Sequence, residues 1–132
     1  MPYELIVKAD FGAAHFLRQY RGKCERLHGH NWKLDIYLTA DGLNADAMVI
    51  DFVEAKAVIR QALEKYDHYH LNEVPPFDRL NPTSENIARV LCEEIQALLP
   101  QGVLVSRLTA WESDRCGATW IPERPQRQRK VL

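Results

Sequence analysis

Apolar and polar residues alternate with a period of two over residues 3–11, so Tyr3, Leu5, Val7, Ala9 and Phe11 share one side of an expected strand. Residues 31–40 repeat the pattern, with Trp32, Leu34, Ile36 and Leu38 set against Lys33, Asp35, Tyr37 and Thr39. From Phe52 to Tyr66 the spacing turns helical, and Phe52, Ala55, Val58, Ile59, Ala62, Leu63 and Tyr66 form one stripe. Pro75, Pro76 and Pro82 then break regular structure and predict a loop. Thr83 or Ser84 caps a second helix, with Glu85 in its first turn and Ile87, Val90, Leu91, Ile95 and Leu98 as its stripe. A Pro-Gln-Gly sequence ends that helix, and residues 103–112 and 116–122 read as two further strands. The order strand, strand, helix, helix, strand, strand, without internal repeat or linker, predicts an α+β fold: a four-stranded antiparallel sheet with both helices on one face.

At 132 residues the chain suits a single domain spanning 1–132. Its 46% hydrophobic and 27% charged content are those of an ordinary globular protein. A formal net charge of -1 argues against a general nucleic-acid binder, which would carry a basic excess. Arg124, Arg127, Arg129 and Lys130 make residues 122–132 locally basic, and this stretch reads as a solvated polar tail. No apolar run approaches the ~20 residues of a membrane span, and the N-terminus lacks the basic start and long apolar centre of a signal peptide. The expectation is a cytoplasmic protein without a membrane partner. Cys24, Cys92 and Cys116 are odd in number and unrelated in spacing, which fits a reducing compartment better than a disulfide framework. Cys92 lies in an apolar helical pattern and Cys116 in a short strand-like run, and both read as small core residues. Cys24 differs, being flanked by Lys23, Glu25 and Arg26.

Residues 11–38 hold three of the five histidines around that cysteine. On a strand, residues i and i+2 point to one side, so His28 and His30 project together if they open the second strand. His15, at the end of the preceding strand, can meet them across the hairpin. Three imidazoles would hold a metal with one coordination position open, as in catalytic zinc sites. Cys24 is a fourth ligand, which closes the site, a thiol whose basic neighbours favour the thiolate, or an exposed thiol without a role; spacing alone leaves all three open. His68 and His70 form a second i, i+2 pair, although they follow a helix. Asp67 beside His68 fits a carboxylate orienting a proton-moving imidazole. Glu112, a carboxylate at the end of an apolar strand, can hold a ligand with two adjacent N–H groups.

Taken together, "FGAAH", "KCERLHGH", "MVIDF", "YDHYHLN", "NPTSENIA" and "WES" resemble, in order over residues 11–113, the motifs of the 6-pyruvoyl-tetrahydropterin synthase and 6-carboxytetrahydropterin synthase family. The resemblance implies zinc on His15, His28 and His30, and Cys24 as the proton-transferring thiol. It implies Asp67 and His68 as an acid–base pair reaching a neighbouring subunit's site, and Glu112 as the anchor of the pterin ring. His70 falls on a variable position and is left out. The implied architecture is the tunnelling fold, in which sheets of three subunits join as a barrel and two trimers stack as a homohexamer with active sites between subunits. Three residues between Cys24 and His28 resemble the bacterial 6-carboxytetrahydropterin synthases of queuosine biosynthesis. These convert 7,8-dihydroneopterin triphosphate to 6-carboxy-5,6,7,8-tetrahydropterin, acetaldehyde and triphosphate. Glu25 directly after Cys24 resembles a combined branch that also cleaves dihydroneopterin to 6-hydroxymethyl-dihydropterin for folate synthesis. Pyruvoyl-tetrahydropterin synthesis is the other family reaction. An alternative of a different class is a zinc-stabilised, non-catalytic assembly module, with Cys24 closing the metal shell.

Overall fold

A computed structural model describes residues 1–19 and 26–123. Cys24, Glu25 and residues 124–132 of the basic tail lie outside the described residues. The elements are β1 (Leu5–His15), β2 (His28–Thr39), α1 (Phe52–Leu63), β3 (Tyr69–His70), α2 (Ser84–Leu98), β4 (Leu104–Trp111) and β5 (Gly117–Trp120). One turn of 3-10 helix, Leu71–Glu73, follows β3.

The sheet runs β3-β1-β2-β4-β5. The fold class is the expected α+β, but the sheet has five strands, because the two-residue β3 pairs parallel with Ala13 and Ala14 of β1. A strand so short carries no periodicity. A contact distant in sequence brings it to β1: the backbone N–H of His68 donates to the Gly12 carbonyl, and that of Gly12 donates to Asp67 Oδ1. The other pairings are antiparallel.

Alternation decides which face is buried. Val7, Phe11 and Ala13 on β1 and Trp32, Leu34, Ile36 and Leu38 on β2 are buried, whereas Lys8, Asp10, Lys33 and Asp35 point away. Both helices cover the apolar face, α2 over β4 and β5 and α1 beside β1. In α1 the buried residues are Ala55, Ile59, Ala62 and Leu63. That helix stops at Leu63, short of the expected Tyr66, although Tyr66 is fully buried and gives its hydroxyl to Glu94. Asp51 caps α1 through Val53 N–H, and Thr83 caps α2 through Asn86 N–H, each satisfying a donor the helix leaves open. Tyr3, Phe52 and Leu98, expected inside, are exposed because each lies at or beyond an element's end, where no packed neighbour covers it. Cys92 is buried as expected; Cys116 is exposed, because it closes the turn between β4 and β5 and does not lie in a strand.

Strand β4 changes phase midway. Tyr37 pairs with Arg107 and Leu38 with Val105, so Ser106 is an extra, bulged residue. Before it Val105 faces inward; after it Leu108 and Ala110 do. No helix among the described residues is long and apolar enough to cross a membrane.

Candidate metal centre

The hairpin register carries the alternation beyond the apolar core. Phe11 pairs with Trp32, Ala13 with His30, and His15 with His28. His15 therefore follows Phe11 and Ala13 on the core-facing side of β1, and His30 and His28 precede Trp32 on the same side of β2. The imidazole centroids of His15 and His28 are 4.6 Å apart, those of His28 and His30 4.7 Å, and those of His15 and His30 5.3 Å. The floor beneath them is Trp32, 0% exposed, whose ring meets His15 and His30 edge to face.

Glu112 joins this group. The phase set by the Ser106 bulge continues through Leu108 and Ala110 to Glu112, one residue past β4, which turns its carboxylate inward. Its Oε1 lies 3.1 Å from His30 Nε2, an ion-pair contact without hydrogen-bond alignment, and Ser84 Oγ donates to Oε2 at 3.3 Å. One ligand atom from each of His15, His28, His30 and Glu112 falls within 4.8 Å of the others, an arrangement that can hold a metal ion. Sequence reasoning placed Glu112 as a ring anchor and missed its nearness to the histidines. The signal was present in the spacing of Leu108, Ala110 and Glu112.

The hydrogen bonds fit a metal. His15 Nδ1 donates to the Pro82 carbonyl at 2.8 Å, and His28 Nδ1 to the Arg26 carbonyl at 2.9 Å. A neutral imidazole with its proton on Nδ1 presents its Nε2 lone pair for ligation. The Nε2 atoms of His15 and His30 are buried with no hydrogen-bond partner among the described residues, an arrangement a bound cation would satisfy. Burial pushes the pKa of His15 below its ordinary value. The Pro82 carbonyl partly opposes this, and the neighbouring His28 adds to the lowering. The uncharged form that ligation requires is thus favoured.

Asp67 and His68 stand outside this group, at the β1–β3 edge. Asp67 Oδ1 accepts from Gly12 N–H at 2.9 Å and lies 3.0 Å from His68 Nδ1, so the two residues are in contact. His68 has φ 67°, a conformation uncommon for a side-chain-bearing residue, and its side chain is 87% exposed. His70 turns instead to Glu73, with Nδ1 3.4 Å from Oε1, and among the described residues neither His68 nor His70 belongs to a group of three or more side chains that could hold a metal.

An α+β sheet whose core-facing layer ends in three histidines and a glutamate defines a small domain with a side-chain group that could hold a metal ion. The model of the 6-pyruvoyl tetrahydropterin synthase family matches residues 4–123, and the chain belongs to that family. It is 34% identical over 117 residues to a Pyrococcus furiosus dihydroneopterin monophosphate aldolase, covering 89% of this chain and 96% of that one. It is 32% identical over 105 residues to the 6-carboxy-5,6,7,8-tetrahydropterin synthase of Bacillus subtilis, covering 74% and 70%. The fold matches that of Caenorhabditis elegans 6-pyruvoyl tetrahydropterin synthase with a TM-score of 0.82 at 24% identity, over 92% of this chain and 96% of that chain.

Proposed function

We propose that the chain is a zinc-dependent lyase converting 7,8-dihydroneopterin triphosphate to 6-carboxy-5,6,7,8-tetrahydropterin with release of acetaldehyde and triphosphate. The observation that carries the reading is the convergence of His15, His28, His30 and Glu112 within one 4.8 Å group. His15, His28 and His30 would hold the ion, and zinc, when bound there, supplies Lewis acidity that makes neighbouring hydroxyls and α-protons easier to remove. Glu112, held by Ser84, anchors the pterin through its amino and amide N–H groups. Asp67 keeps His68 oriented to accept or return a proton, and Cys24, as thiolate, serves the other face of the substrate side chain. The exposure of His68 supports its use in a neighbouring subunit's site. The outer edges of β1 over Leu5–Phe11 and of β5 carry no strand partner among the described residues. Open edges of this kind support joining of sheets into the trimer barrel, and two stacked trimers as the homohexamer. A cytoplasmic location and a role in queuosine biosynthesis follow from the same reading.

A second reading is favoured by Glu25 and by the Pyrococcus relative named as an aldolase: cleavage of a dihydroneopterin side chain to 6-hydroxymethyl-dihydropterin. The deciding experiment incubates purified protein with dihydroneopterin triphosphate and, separately, with dihydroneopterin, and identifies the pterin products by mass. A carboxypterin from the triphosphate is the expected result. Hydroxymethyl-dihydropterin alone would replace the first reading with the second, and no product from either would return the chain to a structural metal module. Cys24→Ala is expected to abolish turnover with zinc retained, and full activity in that variant would remove the thiol's assigned role.

A further inference from the structure

Residues 16–18 leave the sheet immediately after His15, yet their backbone is not left unpaired. Asn72 Oδ1 accepts from Phe16 N–H at 2.9 Å and Asn72 Nδ2 donates to the Phe16 carbonyl at 3.0 Å. Two residues on, Asn81 Oδ1 accepts from Arg18 N–H at 2.8 Å, and Asn81 Nδ2 reaches the Arg18 carbonyl at 3.4 Å. A carboxamide offers one donor face and one acceptor face, as a backbone residue of a paired strand does. The two asparagines thus continue the pairing of β1 where β3 ends. The Arg18 guanidinium returns to the same loop, donating to the carbonyls of Asn72, Phe77 and Leu80 at 3.2, 2.7 and 3.2 Å.

The consequence lies next to Asn81. Pro82, its neighbour, supplies the carbonyl that accepts from His15 Nδ1. Residues 15 and 18 are therefore held by residues 82 and 81 through two bonds of 2.8 Å, which closes a ring around the histidine. We infer that Asn72, Asn81 and Arg18 are positioning residues for the metal centre: they fix loop 71–83 against the end of β1 and so set the ring of His15 for ligation. The inference rests on the reading of His15 as a metal ligand. Groups that orient a ligating histidine commonly change metal affinity 10–100-fold when removed.

The test titrates the metal-free full chain with Co2+, following its visible absorption, and with Zn2+ against a chromophoric chelator, with circular dichroism as the check of fold. Asn81→Ala, which acts on His15 through Pro82, is expected to weaken binding by about tenfold, the lower end of that range. Asn81→Asp keeps the 2.8 Å acceptor bond and turns the long 3.4 Å donor contact into a mild repulsion, so its affinity should recover a large part of what Asn81→Ala loses. Asn72→Asp sets a carboxylate oxygen against the Phe16 carbonyl and should not rescue the loss in Asn72→Ala. A merely structural role would lower thermal stability in all variants while leaving the metal affinity of the folded protein unchanged. Unchanged affinity in folded Asn81→Ala and Arg18→Met, while His15→Ala loses the metal, would overturn the inference alone. Unchanged affinity in His15→Ala would overturn the ligand reading beneath it. If Asn72→Ala fails to fold, the contrast between Asn81→Ala and Asn81→Asp decides.

Discussion

Replacing Glu112 by glutamine separates two roles that the geometry allows. The carboxylate is close enough to His30 to serve as a fourth ligand, yet it is also 36% exposed and held by Ser84, as a substrate anchor would be. Glutamine preserves length and can still accept from Ser84 Oγ, so the change removes charge and one acceptor without displacing the side chain. As a ring anchor, Glu112 makes two hydrogen bonds in which one partner is charged, each worth about 1.5–3 kcal/mol. Glutamine forfeits one and leaves the other neutral, a loss of about 3 kcal/mol, or about 10²-fold in kcat/KM. The metal should be retained, with affinity within about threefold, or ~0.7 kcal/mol, of the original. Steady-state kinetics with dihydroneopterin triphosphate and zinc competition against a chelator measure both quantities on one preparation. A tenfold or greater loss of zinc affinity, with activity restored by excess zinc, would refute the anchor role and make Glu112 a ligand.

Other perturbations test the scaffold. Tyr66→Phe removes a hydroxyl shared by both oxygens of Glu94 at 2.8 and 2.9 Å; burial, then this bond, keeps the phenol from ionising. Urea unfolding should show a loss of about 1–2 kcal/mol with metal affinity unchanged, and an unchanged midpoint would show that the bond contributes nothing. Gly117→Ala places a Cβ 2.8 Å from the Ala110 carbonyl and 2.9 Å from the Trp111 ring. The β4–β5 hairpin must shift, at a cost on the order of 1–3 kcal/mol, and a thermal scan showing an undiminished Tm would contradict the packing described. In metal-free protein, burial lowers the pKa of His15 below its ordinary 6.5, so the folded state binds fewer protons than the unfolded one. This contribution is complete above about pH 6.5 and is lost as pH falls below it. Urea midpoints followed downward from about pH 8 should decline there, and His15→Gln should flatten the decline.

What the sequence made legible were the features that repeat locally. Alternation along residues 3–11 and 31–40 predicted both long strands and, extended by parity, the meeting of His15, His28 and His30. Features created by contacts between distant residues were not legible. The strand β3 exists because Asp67 and His68 bind the backbone of Gly12, and nothing in two residues announces it. The pairing of Asn72 and Asn81 with residues 16–18 spans more than fifty positions and leaves no periodic trace. Cys116 looked like core because it opens the strand-like run 116–122, whereas the turn it closes, with its carbonyl accepting from Glu112 N–H, depends on the hairpin as a whole.

The position of Glu112 depends on an irregularity in β4. Along an uninterrupted strand, the inward phase of Val105 would continue through Arg107 and Thr109 to Trp111, and Glu112 would point to the polar face. A one-residue slip reverses every side chain of a strand, and the bulge at Ser106 is such a slip confined to one place. It exchanges Arg107 for Leu108 in the core and carries the inward phase to Glu112 at the level of the histidines. Three adjacent strands thus bring their core-facing rows to an end in the same layer, two in imidazoles and one in a carboxylate. Side chains mounted on paired strands above a buried Trp32 have little freedom to rearrange. A site of that kind is set by the fold before any ion or substrate arrives, which is the condition under which placement contributes most to catalysis.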